Sequence, residues 1–308
     1  MIDREKDPFV TYDLDHDRFY SLKENNELQK PISGLLTMCV HLGYNCNLHC
    51  MYCSSKDYEG TESPFILDDL ERFLLRNNIP RVVISGGEPF LYSEKLVQYL
   101  RVIKKCGAYS FVSTNGTLPQ NISQEILDLI DWVDISLPAT TPQLYQEIRG
   151  SDHFYEALSF IQRMVNANKR VRISYTLSSH NIADVFELPS FSKTIGVSNI
   201  RISHTYGLKE GLIWTPEQST ILKARFSEIY PEALIYTPLS VEELDAYQRG
   251  YLLLAPDGFL YVFNTSYTNR LFSIKDAFLM ENENRIKQLS FLQKKLFCIN
   301  HKTKDIKL

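Results

Sequence analysis

Residues 35–53 read LLTMCVHLGYNCNLHCMYC, an apolar run followed at once by three closely spaced cysteines. The run at 35–42 is short and apolar, which is typical of a buried strand. The cysteines that follow it, Cys46, Cys50 and Cys53, are separated by three and then by two residues. This spacing is that of a ligand site rather than of a disulfide set. It predicts a metal-binding loop at the end of a strand.

Three thiolates in so short a loop indicate a soft metal. Sulfur ligands select iron-sulfur clusters, zinc or copper. A structural zinc ion normally takes four protein ligands, and the segment offers only His49 besides the cysteines. A four-iron cluster on three cysteines would leave one iron open to a small molecule, to which it could pass an electron. A zinc site and three unconnected core thiols are the alternatives.

Beyond this loop the sequence alternates short apolar runs with helical patterns. Five further runs predict buried strands, at 82–85, 109–113, 132–137, 171–177 and 200–206. Apolar residues spaced by three and four predict helices at 67–75, 94–105, 124–130, 154–167 and 185–193. Alternating strands and helices pair in parallel through right-handed crossovers. Six such units predict an α/β protein with a partial (β/α)6 barrel of the TIM type.

After residue 206 this alternation stops. The pattern predicts a helix at 216–230, a strand at 233–236, and a hairpin of 252–255 and 259–263 around Pro256-Asp257-Gly258. A lysine-rich helical pattern follows at 284–295. We therefore expect an N-terminal extension at 1–33, the barrel at 34–210, and a small α+β capping region at 211–308.

Composition and charge place the chain among ordinary globular proteins. Of its 308 residues 44% are hydrophobic and 23% charged, and the formal net charge is -4. This balance gives no overall attraction for nucleic acid or an anionic membrane. No apolar run approaches the roughly 18 to 20 residues that span a bilayer, and the N-terminus does not resemble a secretory signal. We expect a cytoplasmic protein whose six cysteines are not paired in disulfides.

The segment CNLHCMYC at 46–53 resembles the signature of the radical S-adenosylmethionine (radical SAM) superfamily, C-x3-C-x2-C with an aromatic residue before the last cysteine. The resemblance implies one [4Fe-4S] cluster on Cys46, Cys50 and Cys53. It implies that the open iron binds the amino and carboxylate groups of S-adenosylmethionine, with Tyr52 near the adenine. It also implies a low-potential reductant such as flavodoxin or ferredoxin.

A second motif, Ser85-Gly86-Gly87-Glu88-Pro89, directly follows the second predicted strand. Loops at the carboxyl ends of strands build the sites of α/β barrels. Paired glycines let a ligand approach the backbone closely. By resemblance this motif binds the methionine ammonium, with Glu88 as a charged acceptor.

Further candidates lie at the ends of the next strands. By resemblance, Ser113, Asn115 and Ser136 are candidates for the ribose and the carboxylate, although such residues are also common in ordinary turns. The segment 142–150 resembles the family segment whose arginine meets the methionine carboxylate, which points to Arg149. Pro138-Ala139 stands where the family often has Asp-Gly.

The fifth and sixth strands each carry an Arg-x-Ser-x-Thr pattern, beginning at Arg172 and at Arg201. Period-two alternation puts these residues on the face opposite their apolar neighbours. The apolar face should meet the helices, so the polar rows should point into the barrel. We expect Arg201, with Arg172 as second choice, to bind an anionic or hydroxyl-rich substrate. The alternative places both arginines at the solvated bottom of the barrel.

The predicted hairpin at 252–263 resembles the one that opens the cysteine-rich auxiliary-cluster domains (SPASM or twitch) of many relatives. A cysteine usually follows there, but this chain has Phe263-Asn264, so the region looks degenerate and we expect no auxiliary cluster. The hairpin should serve as a lid that limits solvent access. Cys298 could donate a hydrogen atom or bind iron, although a buried bystander is the simpler interpretation.

Together these features predict an enzyme that forms a 5'-deoxyadenosyl radical and removes hydrogen from a small polar metabolite such as a sugar, nucleotide or natural-product intermediate. A peptide-modifying enzyme of the same superfamily is one alternative. A non-catalytic iron-sulfur or zinc protein is the other.

Overall fold

The computed structural model of the chain describes residues 10–13, 18–21, 37–53, 66–77, 79–204, 215–236, 251–262 and 270–275. The strands are β1 (Val10–Asp13), β2 (Arg18–Ser21), β3 (Thr37–His41), β4 (Arg81–Ser85), β5 (Tyr109–Thr114), β6 (Trp132–Ser136), β7 (Arg170–Leu177), β8 (Asn199–His204), β9 (Leu234–Tyr236), β10 (Tyr251–Leu254), β11 (Phe259–Val262) and β12 (Arg270–Ser273). The helices are α1 (Leu67–Asn77), α2 (Ser93–Lys105), α3 (Gln124–Leu129), α4 (Pro142–Arg149), α5 (Phe154–Asn166), α6 (Leu188–Ile195) and α7 (Pro216–Ile229), with short 3-10 helices at Pro89–Tyr92, Pro119–Asn121 and Asp184–Glu187.

Ten strands form one sheet in the order β12-β11-β10-β3-β4-β5-β6-β7-β8-β9, while β1 and β2 pair separately. The six predicted strands are β3 to β8, which lie side by side in chain order and pair in parallel. Strand β9 continues the parallel sheet beside β8, and β10 continues it beside β3. The predicted α/β fold with a partial parallel barrel is confirmed, and the parallel part is wider than six strands.

The predicted hairpin forms from β10 and β11, which pair antiparallel. Its position differs from the expectation of a lid, because β10 lies in the sheet beside β3. Leu253 packs with Cys39, Ala255 and Tyr261 in a small buried cluster on this part of the sheet. The hairpin is therefore part of the barrel wall.

Helix α5 illustrates how the sequence pattern places the helices. It buries Phe154, Ala157, Phe160, Ile161 and Met164, whose spacings of three and four put them on one face. These residues join the main hydrophobic core together with apolar residues of the strands. The core thus lies between the sheet and its helices.

The alternation in β7 and β8 separates an apolar from a polar face, as predicted. Ile173 and Ile202 belong to the main hydrophobic core. Arg172 and Arg201, one residue away along each strand, instead approach Asp134 of β6. The barrel interior therefore contains charged groups.

Helix α4 was not predicted as a helix, although its sequence has clear boundary signals. Thr141 caps its N-terminus by accepting a hydrogen bond from the Leu144 N–H, and Pro142 occupies the first turn. Gly150 ends it with a φ of 68°, a left-handed conformation that favours glycine. This helix carries Arg149 at its last residue.

Some predictions fall outside the described residues: the helix at 284–295, Phe263-Asn264, Cys298, and the boundary between the barrel and the capping region near residue 210. The predicted helix at 185–193 is a 3-10 turn followed by α6. In the part of the chain that the structure describes, no helix is long and apolar enough to cross a membrane.

Candidate active site

The cysteine loop after β3 is fixed by the glycine motif after β4. The Gly87 N–H donates to the Gly43 carbonyl at 2.9 Å, and the Glu88 N–H donates to the Asn45 carbonyl at 2.8 Å. A Cβ atom at Gly87 would lie 1.9 Å from the Asn45 oxygen. The motif at 85–89 therefore needs glycine in order to hold the cysteine loop by backbone contacts.

Tyr92 is a second anchor of this loop, and the sequence did not identify it. Its hydroxyl accepts a hydrogen bond from the Asn45 N–H at 3.0 Å. A Cβ atom at Gly43 would lie 2.2 Å from the Tyr92 ring, so glycine at this position makes room for the tyrosine. Lys95 on α2 donates to the Leu42 carbonyl at the end of β3. In the sequence, the one feature that could have indicated this contact of Tyr92 is Gly43, the glycine before Tyr44.

The three cysteines carry free thiols on one short loop, with Cys50 buried and Cys46 and Cys53 partly exposed. Burial raises the pKa of the Cys46 thiol to about 11. A bound metal would instead lower the pKa of this thiol, because a coordinating thiol loses its proton. Such a site needs hydrogen-bond donors directed at sulfur, and Cys46 receives the Leu48 N–H at 3.5 Å.

The donor set of this loop is three thiols. Among the described residues no group of three or more His, Cys, Asp or Glu side chains converges as it would on one metal ion. In a [4Fe-4S] cluster each cysteine binds a separate iron atom, so the three thiols lie farther apart than the ligands of a single ion. Three thiols, each on a loop fixed by backbone contacts, therefore fit a cluster with one open iron.

Glu88 is buried and occupied by internal hydrogen bonds. Its Oε1 accepts from the Thr114 hydroxyl at 2.6 Å and from the Phe90 N–H at 3.1 Å, and its Oε2 accepts from the Asn115 N–H at 2.8 Å. Burial raises its pKa, although these hydrogen bonds oppose the shift. In this structure Glu88 ties the end of β5 to the glycine motif. Its predicted contact with the methionine ammonium stays a prediction.

Asn115 belongs to a closed network around Cys46. Its Nδ2 donates to Asn47 Oδ1 at 2.9 Å and approaches Cys46 Sγ at 3.8 Å. Thr117 joins the two asparagines, donating to Asn115 Oδ1 at 2.7 Å and accepting from Asn47 Nδ2 at 2.7 Å. The structure thus brings Asn115 to the cysteine loop, while its predicted contact with the ribose or the carboxylate of S-adenosylmethionine stays a prediction.

Arg149 connects the end of α4 to the cysteine loop. It is 4% exposed, and its Nη1 donates to Cys50 Sγ at 3.0 Å. Its Nη2 donates to the Ser136 hydroxyl at 2.7 Å and to the Ser136 carbonyl. Its buried Nε has no hydrogen-bond partner in the described structure. Arg149 therefore keeps one N–H available for an acceptor.

The remaining predicted cofactor residues lie around these groups. The ring of Tyr52 lies 5.7 Å from the Arg149 guanidinium, and its hydroxyl is buried. Pro89 begins the 3-10 helix that follows the glycine motif. Ser113 lies late in β5, opposite Asp134 on β6. Their contacts with a cofactor stay predictions.

Asp134 organises the two arginines inside the barrel. Arg172 binds it in a bidentate manner, with Nε–Oδ1 at 2.6 Å and Nη2–Oδ2 at 2.8 Å. Arg201 lies farther away, with Nη2–Oδ2 at 3.5 Å, and also donates to the Ser174 hydroxyl at 2.9 Å. Burial would raise the pKa of Asp134, but Arg172 and then Arg201 outweigh it and hold the pKa at about 2. The carboxylate is therefore ionised at neutral pH.

The strand register places Arg201 at the level of the cysteine loop rather than at the bottom of the barrel. Ser136, Ser174 and Arg201 lie opposite one another on β6, β7 and β8. Ser136 is the residue that Arg149 binds next to Cys50. Arg172 lies opposite Asp134, two residues or roughly 6.6 Å closer to the start of its strand.

The two arginines therefore differ in availability. The Arg172 side chain is 9% exposed and committed to Asp134, whereas that of Arg201 is 23% exposed. Sequence reasoning missed Asp134, although its place between Trp132 and Ser136 in an alternating strand puts it in the interior row.

Comparison with known proteins shows what the central part of the chain is similar to. The Radical SAM superfamily model matches residues 40–188. A probable GTP 3',8-cyclase of Sulfurisphaera tokodaii is 26% identical over 211 residues, which are 65% of this chain and 67% of that protein. The one from Metallosphaera sedula is 26% identical over 188 residues, or 58% of each chain. This chain spans between about half and two thirds of the length of such relatives.

Two solved structures share the fold. SuiB of Streptococcus suis, bound to S-adenosylmethionine, has a TM-score of 0.64 and 15% identity, covering 79% of this chain and 64% of that one. The enzyme anSMEcpe with bound AdoMet has a TM-score of 0.62 and 16% identity, covering 82% and 79%. At these identities the likeness concerns the fold alone.

Proposed function

We propose that the chain, whose residues 40–188 match the Radical SAM superfamily model, is an enzyme that cleaves S-adenosylmethionine reductively and takes a hydrogen atom from a small polar substrate. The match to the Radical SAM superfamily model supports the predicted superfamily, whose members bind a [4Fe-4S] cluster and S-adenosylmethionine, and SuiB and anSMEcpe, which share the fold, were solved with S-adenosylmethionine bound. The substrate, the reductant such as flavodoxin or ferredoxin, and the cytoplasmic location remain predictions.

The residues of the chain have separate tasks in this proposal. Cys46, Cys50 and Cys53 would hold the cluster. Arg149 and Ser136 would orient the carboxylate of S-adenosylmethionine, because the Arg149 Nε is buried and open to an acceptor. When bound, the cluster and its ligand supply one electron and a 5'-deoxyadenosyl radical that abstracts hydrogen. The observation that carries the proposal is this buried, partly unsatisfied arginine beside a rigidly held cysteine loop.

Arg201 is the residue that we assign to the substrate. Its charge is only partly compensated, because the nearer contacts of Asp134 belong to Arg172. A guanidinium forms strong bidentate contacts with phosphate and carboxylate groups. Its row also contains the hydroxyls of Ser174 and Ser136, which suit a hydroxyl-bearing molecule. The substrate proposed is therefore a small metabolite with an anionic group.

A nucleotide is the first substrate to test. The relatives from Sulfurisphaera tokodaii and Metallosphaera sedula carry the name of an enzyme that acts on GTP. A triphosphate would match an arginine at the level of the site. Since the alignment covers only part of those proteins, this substrate is a hypothesis for the present chain.

The superfamily activity is tested with protein reconstituted with iron and sulfide in the absence of oxygen. The reconstituted protein should contain about four iron atoms per chain. When dithionite and S-adenosylmethionine are added, it should release 5'-deoxyadenosine. The triple variant C46A, C50A, C53A should do neither. Retention of zinc in place of iron, or no 5'-deoxyadenosine, would refute the proposal and favour a non-catalytic metal protein.

The substrate assignment is tested by calorimetry on the reconstituted protein with GTP as the probe. Arg201→Ala should weaken binding at least tenfold at unchanged iron content. Arg225→Ala is the matched control, because Arg225 is a half-exposed arginine on α7 that pairs with Glu187 at 3.9 Å. If GTP binds to the wild type and to Arg201→Ala with equal affinity, the assignment of Arg201 is wrong.

Peptide modification remains the second candidate. SuiB has also been solved with its precursor peptide SuiA, so this fold is compatible with a peptide substrate. Failure of GTP and other nucleotides to bind, together with co-purification of a short peptide, would favour it.

A further inference from the structure

The Arg149 guanidinium makes a direct contact with the sulfur of a cysteine assigned to the cluster. Its Nη1 lies 3.0 Å from Cys50 Sγ, and the two residues are only 4% and 6% exposed. Both ends of this contact are anchored, since Arg149 is also bound to Ser136. The backbone at Cys50 is fixed as well, because the Met51 N–H donates to the Ile148 carbonyl at 3.1 Å.

We propose that Arg149 sets the reduction potential of the cluster through its hydrogen bond to Cys50, in addition to any contact that it makes with S-adenosylmethionine. This inference rests on the proposed function, because it requires the cluster. Arg149 is then a positioning and tuning residue that acts through a ligand of the metal.

The physical reason lies in the charge of the reduced state. Reduction adds one negative charge to the cluster and its thiolates, and a cation with an N–H directed at sulfur stabilises that charge. Hydrogen bonds to cluster sulfurs and nearby charge are established determinants of cluster potentials. The interaction is strong here because donor and acceptor are buried, where the effective dielectric is low. Arg149 should therefore raise the potential and make reduction easier.

The hydrogen bonds to Cys46 should stabilise the added negative charge less than the one from Arg149 to Cys50. Cys46 receives the neutral Leu48 N–H at 3.5 Å and the neutral Asn115 amide at 3.8 Å. Both distances are longer than the 3.0 Å from Arg149 to Cys50, and charge-assisted hydrogen bonds are roughly twice as strong as neutral ones. Among the described residues the Arg149 contact is the one expected to dominate.

The first measurement uses the unaltered chain, reconstituted and reduced without S-adenosylmethionine, with arginine labelled by ¹⁵N in its guanidinium. Pulsed EPR of the reduced cluster should show coupling to arginine ¹⁵N. If the reduced cluster forms but shows no coupling to arginine ¹⁵N, the inference is wrong and the proposed function is unaffected. A chain that binds no iron at all overturns both.

The second measurement is a potentiometric titration of the cluster in variants, again without S-adenosylmethionine. Arg149→Gln should make reduction about tenfold less favourable, or about 59 mV for one electron, and Arg149→Lys should lie between this value and the wild type. Arg163→Gln removes the same charge from a side chain that donates to the Pro119 and Ile122 carbonyls, and should leave the potential unchanged. Equal potentials for Arg149→Gln and wild type at equal iron content overturn the inference. Should Arg149→Gln lose its cluster, the ¹⁵N measurement decides.

Discussion

At the scale of single residues, Gly87 shows how one missing side chain determines whether the metal-binding loop can form. Its φ is ordinary, so the requirement for glycine is steric: a Cβ atom would meet the Asn45 carbonyl at 1.9 Å. That carbonyl belongs to the residue before Cys46. The space left by glycine is therefore needed by the cysteine loop.

Gly87→Ala should displace the cysteine loop and lower the iron content of reconstituted protein. It should also lower the free energy of unfolding by about 1–3 kcal/mol, as overpacking does. Gly107→Ala is the control, because Gly107 has a φ of +72° but no atom within 4 Å of its added Cβ. Its cost should be about 1–2 kcal/mol for the left-handed backbone, with normal iron content. Normal iron content in both variants would contradict the role given to Gly87.

His41, the last residue of β3, should make stability depend on pH. Burial lowers its pKa from 6.5 to about 4, so the unfolded chain takes up a proton at a pH where the folded chain does not. Its contribution to stability is present above pH 6.5 and is lost as the pH falls toward 4.

Between pH 7 and pH 5 the wild type should therefore lose about 2 kcal/mol of unfolding free energy. The neutral variant His41→Gln should lack this part of the loss. Urea titrations of both proteins at the two pH values measure the difference. Parallel pH dependence in the two would mean that His41 titrates normally in the folded chain.

At the scale of elements, three strands of the barrel depend on one carboxylate. Asp134 on β6 binds Arg172 on β7 and lies near Arg201 on β8. Because all three groups lie inside the barrel, removing one charge leaves the others uncompensated in a poorly solvated place. The arrangement fixes the position of the Arg201 side chain through Asp134 and Ser174.

Asp134→Asn should therefore cost about 3–5 kcal/mol, the range for breaking a buried ion pair. Glu125→Gln breaks the exposed pair between Arg101 and Glu125, whose N–O distance is 2.7 Å, and should cost about 1 kcal/mol or less. Chemical unfolding of both variants tests this. Equal, small losses would show that the interior arginines are solvated.

The hairpin strand β10 gives the second prediction at this scale. Leu253 is 0% exposed, whereas Leu234 on β9 at the other end of the parallel sheet is 40% exposed. Leu253→Ala should lower the unfolding free energy by about 2–5 kcal/mol, and Leu234→Ala by about 0.5 kcal/mol or less. A small effect at Leu253 would mean that the hairpin is a detachable cover and not part of the barrel wall.

At the scale of the whole molecule, the site occupies the end of the barrel where the parallel strands finish. The cysteine loop follows β3, the glycine motif follows β4, Asn115 follows β5 and Ser136 ends β6. Loops at this end of a parallel sheet come from different parts of the chain but meet in space. Candidate site residues from 46 to 201 of the sequence can therefore lie at one end of the barrel.

Much of this organisation is encoded locally and could be predicted. The spacing of Cys46, Cys50 and Cys53 restricts the metal chemistry, and the periodicity of apolar residues determines which segments become strands and helices. Alternation along β7 and β8 also assigned the arginines to the barrel interior, since neighbouring side chains of a strand must point to opposite faces.

Contacts between residues far apart in sequence were determined only by the tertiary structure. No local pattern indicates that Arg149 approaches Cys50, that Glu88 is occupied by Thr114 and Asn115, or that β10 pairs with β3. These contacts depend on strand register and on the packing of helices against the sheet, which arise from the sum of many weak interactions over the whole chain. Short-range periodicity determines which faces are buried, whereas the partner of each polar group is settled when those faces come together.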